Sequence, residues 1–470
     1  MNINSITQFI EKNWDESAIP ALMEYVSIPA VSPFFARDWQ ETGYLRDALN
    51  LAKTFCQDME LENSSIQIIA DKGRTPILLI EIDATSPDNK DTILLYGHLD
   101  KQPPAKGWDK NKGPFSPVIE NNKLYGRGSA DDGYCLFTAV TAIKALQALK
   151  IPHGRCVILI ETCEESGSFD LEYYLEKYEQ NIGTPNLIIC LDSGCGDYDR
   201  LWITTSLRGA IVGELEACIL TQSIHSGTSG IVASSFRILR QVLDRVEDSK
   251  TGELPVDELQ GRIPEKRLEQ INMAAQILDK TIASAIPLVD GAVTMSHDPV
   301  ELLVNSTWKP TLSYIGVQGM PPVDKSANAI RESTKLMLSF RTPPNVETVV
   351  AAETLKTILE NDPPYGARVK FKLLKHAKGW DMPEIDDGLE TKINKAASMC
   401  FGNTPCYVGE GGSIPFMTLL ADKFPQAKFL ITGVLGPQSN AHGPNEFLHI
   451  PYAKKLTLVI CCIISDSRQG

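Results

Sequence analysis

The sequence predicts an α/β protein: a mostly parallel sheet with helices on both faces, interrupted by a smaller α+β domain. Three observations carry this. Short apolar runs alternate with helically spaced stretches over the first two hundred residues, as in strand–helix–strand units. Between about 209 and 380 the pattern changes to strands that alternate buried and exposed positions. After Trp380 the first style returns.

Residues 5–27 space their apolar positions as a helix. Ile77 to Ile82 and Ile93 to Gly97 read as strands, the second running into His98-Leu99-Asp100. From Asp131 to Lys150 the spacing is helical, with Leu136, Val140, Ile143 and Leu146 as its stripe. Cys156 to Thr162 is a buried strand ending in Glu164-Glu165. Phe169 to Glu179 is a helix, and Leu187 to Leu191 a strand ending in Asp192. Residues 210–220 alternate as a half-buried strand. A helix follows with Val232, Phe236, Leu239 and Leu243 as its stripe, and 247–310 read as irregular and charge-rich. Strands at 311–317 and 335–341, a helix near 346–360 and a strand at 369–374 complete this block. A helix near 388–400, a glycine-rich loop from Gly409 to Gly412, a strand over 428–434 and a last helix after Pro451 close the chain. The domain division is thus 1–208 with 381–470, and 209–380 inserted.

Composition bounds the function. Of 470 residues, 43% are hydrophobic and 22% charged, which is ordinary for a globular protein. With 45 basic and 59 acidic residues the net charge is −14, which argues against nucleic acid or an anionic membrane as partner. Met1 to Pro20 carries Glu11, Asp15 and Glu16 and lacks the apolar core of a signal peptide. The apolar run Leu456 to Ile464 is too short to span a bilayer. The 11 cysteines are odd in number and form no Cys-x-x-Cys pair, which suits free thiols in a reducing cytoplasm. Cys163, flanked by acids and with no histidine near it in sequence, is a poor nucleophile.

Chemistry in an open α/β sheet gathers past the carboxyl ends of its strands. Three apolar strands here end at His98, at Glu164-Glu165 and at Asp192, and a fourth, 428–434, is followed by His442. Asp131-Asp132 opens a helix after Gly126-Arg127-Gly128. Each alone has an ordinary reading: a helix cap, a solvated loop, a turn. Together they are nitrogen and oxygen ligands that suit zinc, with manganese or cobalt as substitutes. A divalent cation would also relieve the repulsion among so many acids.

The segments Gly97-His98-Leu99-Asp100, Gly126 to Asp132, Glu164-Glu165-Ser166-Gly167-Ser168, Gly411-Gly412-Ser413-Ile414-Pro415 and Ala441-His442 resemble the zinc-dependent aminoacylase/carboxypeptidase family of metallopeptidases. His98 to Pro103, with Gly107-Trp108-Asp109 and Pro114-Phe115, is similar to its dipeptidase branch, that of the carnosine dipeptidases and the cytosolic nonspecific dipeptidase. The resemblance covers nearly the whole chain in order. It implies two metals, His98 and Asp192 on one, Glu165 and His442 on the other, and Asp131 bridging. It implies that Asp100 orients His98, that Glu164 is the general base, and that the Asp131-Asp132 peptide is cis. It further implies that the inserted block is a lid and dimerisation domain, with His225 at the oxyanion and Asn328 touching substrate. Arg341, Ser413 and the amide of Gly412 would meet a free carboxylate, and a homodimer would let one subunit's lid complete its neighbour's site.

The activity implied is hydrolysis of dipeptides or similar short peptides with a free carboxylate. An N-acyl amino acid deacylase or carboxypeptidase on the same fold is the alternative. A silent scaffold has no need of the full ligand set, and no arginine cluster or phosphate-cradling loop favours a metallophosphoesterase. Two departures from the family pattern stand out: Gly133, where lysine is common, and Lys101, where a small apolar residue is common.

Overall fold

In a computed structural model, which describes residues 2–465, the contacts divide the chain into two compact units. The first comprises Met1–Thr204, Met382–Val408 and Leu419–Gly470, the second Thr205–Asp381 and Gly409–Thr418. Relative to the boundaries read from the sequence, 205–208, Asp381 and the segment Gly409–Thr418 group with the second unit. That placement follows from contacts distant in sequence, such as Ser413 with the Arg208 carbonyl, 205 positions away.

The core of the first unit is a six-stranded sheet. Its spatial order is Ser64–Ile69, Ile77–Ile82, Arg155–Glu161, Thr92–His98, Leu187–Cys190, Lys428–Ile431. The last four run parallel to one another, and Ile77–Ile82 is antiparallel to its neighbours on both sides. Thr92–His98 and Leu187–Cys190 are buried at every position, as strands covered on both faces are. Because the four strands share a direction, their carboxyl ends lie at one edge. His98 is the last residue of its strand, and Glu164 opens a short 3₁₀ turn just past another.

The helices depart from simple amphipathic spacing. Tyr134–Ala148 and Ile450–Ile464 pack on each other and are buried almost all round, so an apolar stripe understates their burial. The first of them starts at Tyr134, not at Asp131, and the two aspartates make no side-chain cap. The N-terminal helix is interrupted. Ile3–Asn13 passes through a π turn at Trp14–Ala18 into Ile19–Ser27, which accommodates Pro20 in the first turn of the new segment. Tyr44–Asp58, which the spacing did not announce, packs on Ser64–Ile69 and Ile77–Ile82.

The second unit holds a four-stranded antiparallel sheet, ordered Thr311–Gln318, Ser333–Thr342, Gly209–Cys218, Arg368–Ala377. Ile211, Leu215, Leu338 and Phe340 point to one face and pack with Ile238, Leu239 and Val242 of Ser235–Leu243 and with Leu355 and Leu359 of Thr348–Glu360. The expected stripe on the first of these helices was partly wrong. Phe236 is exposed and Val232 precedes the helix, while Ile238 and Val242 are buried instead. Residues 247–310 are not irregular throughout, since Glu265–Leu278 and Pro299–Thr307 are helices. The first buries only Arg267, Ile271, Ala274 and Ala275, a stripe of small and charged residues that carries little hydropathy signal. Gly409 lies in the strand Cys406–Glu410, so the turn proper begins at Gly411.

Candidate metal centre

The parallel strands deliver their groups to one place. His98 Nε2 lies 3.4 Å from Asp131 Oδ1 and 3.7 Å from Asp192 Oδ2. Asp131 Oδ2 lies 2.9 Å from His442 Nε2, which is 3.5 Å from Glu165 Oε2. His98, Asp131 and Glu165 form one group able to hold a cation, and His98, Glu164 and Asp192 a second. The Asp131-Asp132 peptide is cis, as the resemblance implies.

The tautomer of His98 suits ligation. Its Nδ1 faces the Asp100 carbonyl at 3.1 Å and the Asp100 carboxylate at 3.5 Å, so Nδ1–H has acceptors and Nε2 keeps its lone pair. That Nε2 and Glu165 Oε1 are buried with no hydrogen-bond partner among the described residues. A bare nitrogen lone pair amid carboxylates is a donor set awaiting a cation, and the residues therefore fit a divalent metal. The surrounding carboxylates favour positive charge at this place, whether a proton on His98 or a bound cation. Burial opposes charge on His98, but Asp100, Asp131 and Asp192 outweigh it and raise its pKa well above the usual value. Burial would raise Asp131, yet His442 and His98 hold it below the usual range. Burial raises Glu164, Glu165 and Asp132. Cys163 is pushed up by burial and donates to Glu161 at 3.2 Å, which removes it as a nucleophile.

Asp100 does more than touch His98. Its two carboxylate oxygens accept the N–H groups of Glu164 and Glu165, each at 3.1 Å, and so lock the turn that carries both glutamates. Two residues escaped the sequence reading in this respect. Glu446, fully buried, accepts from the N–H groups of Gly128, Ala130 and Asp131 at 3.0, 3.3 and 3.3 Å and pairs with Arg127 at 2.6 Å. It thereby fixes the loop that presents Asp131. Arg127 stood in a quoted motif, but nothing marked Glu446, a single acid in a loop 315 positions from Asp131. Gln102 donates to Glu165 Oε2 and steadies that carboxylate.

The departures at 101 and 133 now have a physical account. The Lys101 ammonium is fully buried and donates to the carbonyls of Tyr25, Val26 and Ile28 at 2.8, 3.1 and 2.7 Å. These carbonyls lie at the C-terminal end of Ile19–Ser27 and its cap, a favourable place for a cation. Burial nonetheless pushes its pKa well below the usual value. Gly133 has no room for a side chain, because a Cβ there would stand 2.2 Å from Tyr25 Cε1 and 2.3 Å from the Gly128 carbonyl. Gly133→Ala is expected to destabilise the protein by about 1–3 kcal/mol, the usual range for overpacking. Thermal denaturation checks this, and an unchanged midpoint would mean that the loop yields freely.

Four of the other predicted residues lie in the second unit as two pairs. His225 and Asn328 are both exposed and adjacent in space, since Ile224–His225 pairs with Ala329–Ile330 and Ser226 N–H donates to the Asn328 carbonyl at 3.0 Å. Arg341 Nη1 donates to Ser413 Oγ at 2.9 Å, with Gly412 next in the chain.

Comparison with known proteins agrees with this geometry. The model of peptidase family M20/M25/M40 matches residues 94–466. The chain is 28% identical over 464 residues to the Cys-Gly metallodipeptidase DUG1 of Saccharomyces cerevisiae, covering 91% of each. It is 26% identical over 393 residues to the Beta-Ala-His dipeptidase of Homo sapiens, covering 79% of this chain and 73% of that one. The solved structure of the di-peptidase Dug1p from Saccharomyces cerevisiae superposes with a TM-score of 0.78 at 22% identity, covering 98% of both chains. With a family match across most of its length and two groups of side chains able to hold a cation past the strand ends, the chain belongs to peptidase family M20/M25/M40 and is a metallopeptidase.

Proposed function

We propose that the protein is a dipeptidase that hydrolyses the single amide of short peptides bearing a free carboxylate. The observation that carries this is Asp131, whose two oxygens face His98 on one side and His442 on the other. His98 and Asp192 would hold one divalent cation, Glu165 and His442 a second, with Asp131 shared and zinc the metal the donor set favours. Such cations, when bound, supply Lewis acidity toward a carbonyl and a water of lowered pKa. Glu164 takes the proton of the attacking water at its carboxylate and returns it to the leaving amine nitrogen. Burial raises Glu164, which suits a group that must carry a proton between two steps. Asp100 holds Glu164 at its main-chain N–H and so restricts where its carboxylate can reach. His225 supports the developing oxyanion, Asn328 contacts substrate, and Arg341, with Ser413 and the Gly412 amide, receives the carboxylate.

The names of the relatives point to dipeptides, and the assay that decides is a panel. Purified protein loaded with zinc or with manganese is offered dipeptides, tripeptides and N-acetyl amino acids. Turnover of dipeptides alone is expected. Preferential release of acetate from the N-acetyl compounds would make it a deacylase instead.

A homodimer is part of this proposal. The outer strand Thr311–Gln318 exposes Tyr314, Ile315 and Val317 on an unpaired edge, a surface that natural sheets otherwise protect. A second copy would cover it, and His225 and Asn328 would serve the partner's metals. Mixing Glu164→Gln protein with His225→Ala protein under subunit exchange is expected to restore part of the activity. A mixture that stays dead although mixed dimers form would show self-sufficient subunits. The eleven cysteines form no disulfide among the described residues, which supports a reducing, cytoplasmic setting.

A further inference from the structure

We infer that Lys101 is a positioning residue of the metal centre. Its buried ammonium, its stem and its main chain tie together the three segments that present His98, Asp131 and the Glu164-Glu165 turn, so that these ligands hold their places before a cation arrives. This rests on the reading of those side chains as metal ligands. An ammonium has three protons, and the fold offers Lys101 three acceptors. The carbonyls of Tyr25, Val26 and Ile28 take one each, and the residue is shut off from solvent. The charge also stands 4.0 Å from the centroid of the Tyr25 ring. Tyr25 in turn donates its hydroxyl to the Leu99 carbonyl at 3.2 Å. The end of Ile19–Ser27 thus grips the segment that carries His98 and Asp100 at two points.

The main chain of Lys101 reaches the glutamate turn. Its N–H donates to the Ala30 carbonyl and its carbonyl accepts from Ser32 N–H, each at 2.9 Å. The Ser32 hydroxyl meets the Ser166 hydroxyl at 2.5 Å, and Ser166 ends the short turn that Glu164 and Glu165 begin. The stem reaches the third segment. A Cβ on Gly128 would lie 2.7 Å from Lys101 Cε, 3.0 Å from Cγ and 3.1 Å from Cδ, so the loop that presents Asp131 is bare where the stem passes. An apolar side chain of the same length could fill this space, yet it would withdraw a donor from three carbonyls at once. The place also suits a cation. Burial opposes the charge most strongly, but Lys101 faces the negative end of a helix, and Glu446, which braces the Asp131 loop, supports it against Arg127. Lys101 is thus a strut common to the three segments, and its removal loosens them together.

The test reads metal affinity rather than rate. Full-length wild type, Lys101→Met and Lys101→Gln are stripped of metal, and Zn²⁺ binding is titrated in competition with a chelator of known affinity. Thermal melting is followed with and without the metal. Loss of a support behind the ligands typically costs about 10–100-fold in metal affinity. Lys101→Met is therefore expected to bind both equivalents on the order of ten-fold more weakly, because His98 serves one, Glu165 the other and Asp131 both. The gain in melting temperature on loading should shrink with it. Lys101→Gln, neutral but still a donor, should lose less, and it carries the test if Lys101→Met does not fold. Ile6→Ala, a buried position on Ile3–Asn13 outside the ligand-bearing segments, sets the effect of instability alone. A change that weakens metal-free and loaded protein equally leaves the affinity as it was. Lys101 variants that melt lower but bind zinc as tightly as wild type, as Ile6→Ala should, would reduce Lys101 to a structural part and overturn the inference. A wild type that takes up no zinc would instead remove the metal reading, and the inference with it.

Discussion

Glu164→Gln is expected to keep the fold and its metals and to lose turnover on the order of 10²–10⁴-fold, the usual contribution of a general base. The amide is nearly isosteric with the carboxylate. The main-chain N–H of Glu164, which Asp100 accepts at 3.1 Å, is untouched by the change. Glu165, next in the chain, makes its contacts with His442 and Gln102 without help from the Glu164 side chain. The carboxylate of Glu164 nevertheless stands in a group with His98 and Asp192, close enough to ligate. Metal content therefore has to be measured beside the rate. Full metal with lost turnover supports the base, whereas loss of one metal equivalent would move Glu164 into the ligand set. Near-normal turnover would show that another group takes the proton.

Removal of metal is expected to abolish activity and to lower thermal stability, both recovering when zinc or manganese is titrated back to two equivalents. Asp131, Asp132 and Glu446 are buried together, with Glu164, Glu165 and Asp192 half-buried nearby. Burial, and then the neighbouring charge of Asp131, raise Glu446 to about 7 despite Arg127, a sign of how poorly these acids are solvated. Arg127 answers Glu446 alone, and the two histidines do not balance the remaining acids. A ligand that binds only the folded state stabilises it by about 4 kcal/mol at a thousand times its Kd. Calorimetry of chelated and reloaded protein, with elemental analysis, checks this. An unchanged melting curve after proven metal loss would mean that the acids need no cation. Asp131→Ala should mimic chelation more closely than Asp192→Ala, because Asp131 faces His98 with one oxygen and His442 with the other.

Much of the architecture was legible because it is local. The runs at 77–82, 93–97 and 156–162 are dense in β-branched and aliphatic residues and bounded by polar turns, and each became a strand of the main sheet. For 93–97, 156–162 and 187–191 the helices between them implied a parallel direction, which placed His98, Glu164-Glu165 and Asp192 at one edge, whereas 77–82 runs antiparallel to its neighbours. The alternation in 335–341 likewise announced an antiparallel strand with one buried face. Where hydropathy was weak the reading failed. The helix Glu265–Leu278 packs through alanines and an arginine that pairs with Asp381 at 2.7 Å, and no window of sequence shows that partner.

By itself, then, the sequence determined most strands of the main sheet, the parallel direction of those that carry the site and the side chains past their ends, since these depend on residues close in the chain; the strand Ser64–Ile69 and the antiparallel direction of Ile77–Ile82 were not among them. Tertiary structure alone decided what brings those side chains to bear. His442 reaches Asp131 over 311 positions, Glu446 braces the Asp131 loop from 315 away, and Ser413 meets Arg341 across 72. It also decided that Lys101 ends inside the protein on the carbonyls of a helix and that Gly133 must stay bare against Tyr25. The reason is physical: a hydrogen bond or a close approach between distant segments leaves no periodicity in either of them, and is created only when burial of the core brings the segments together.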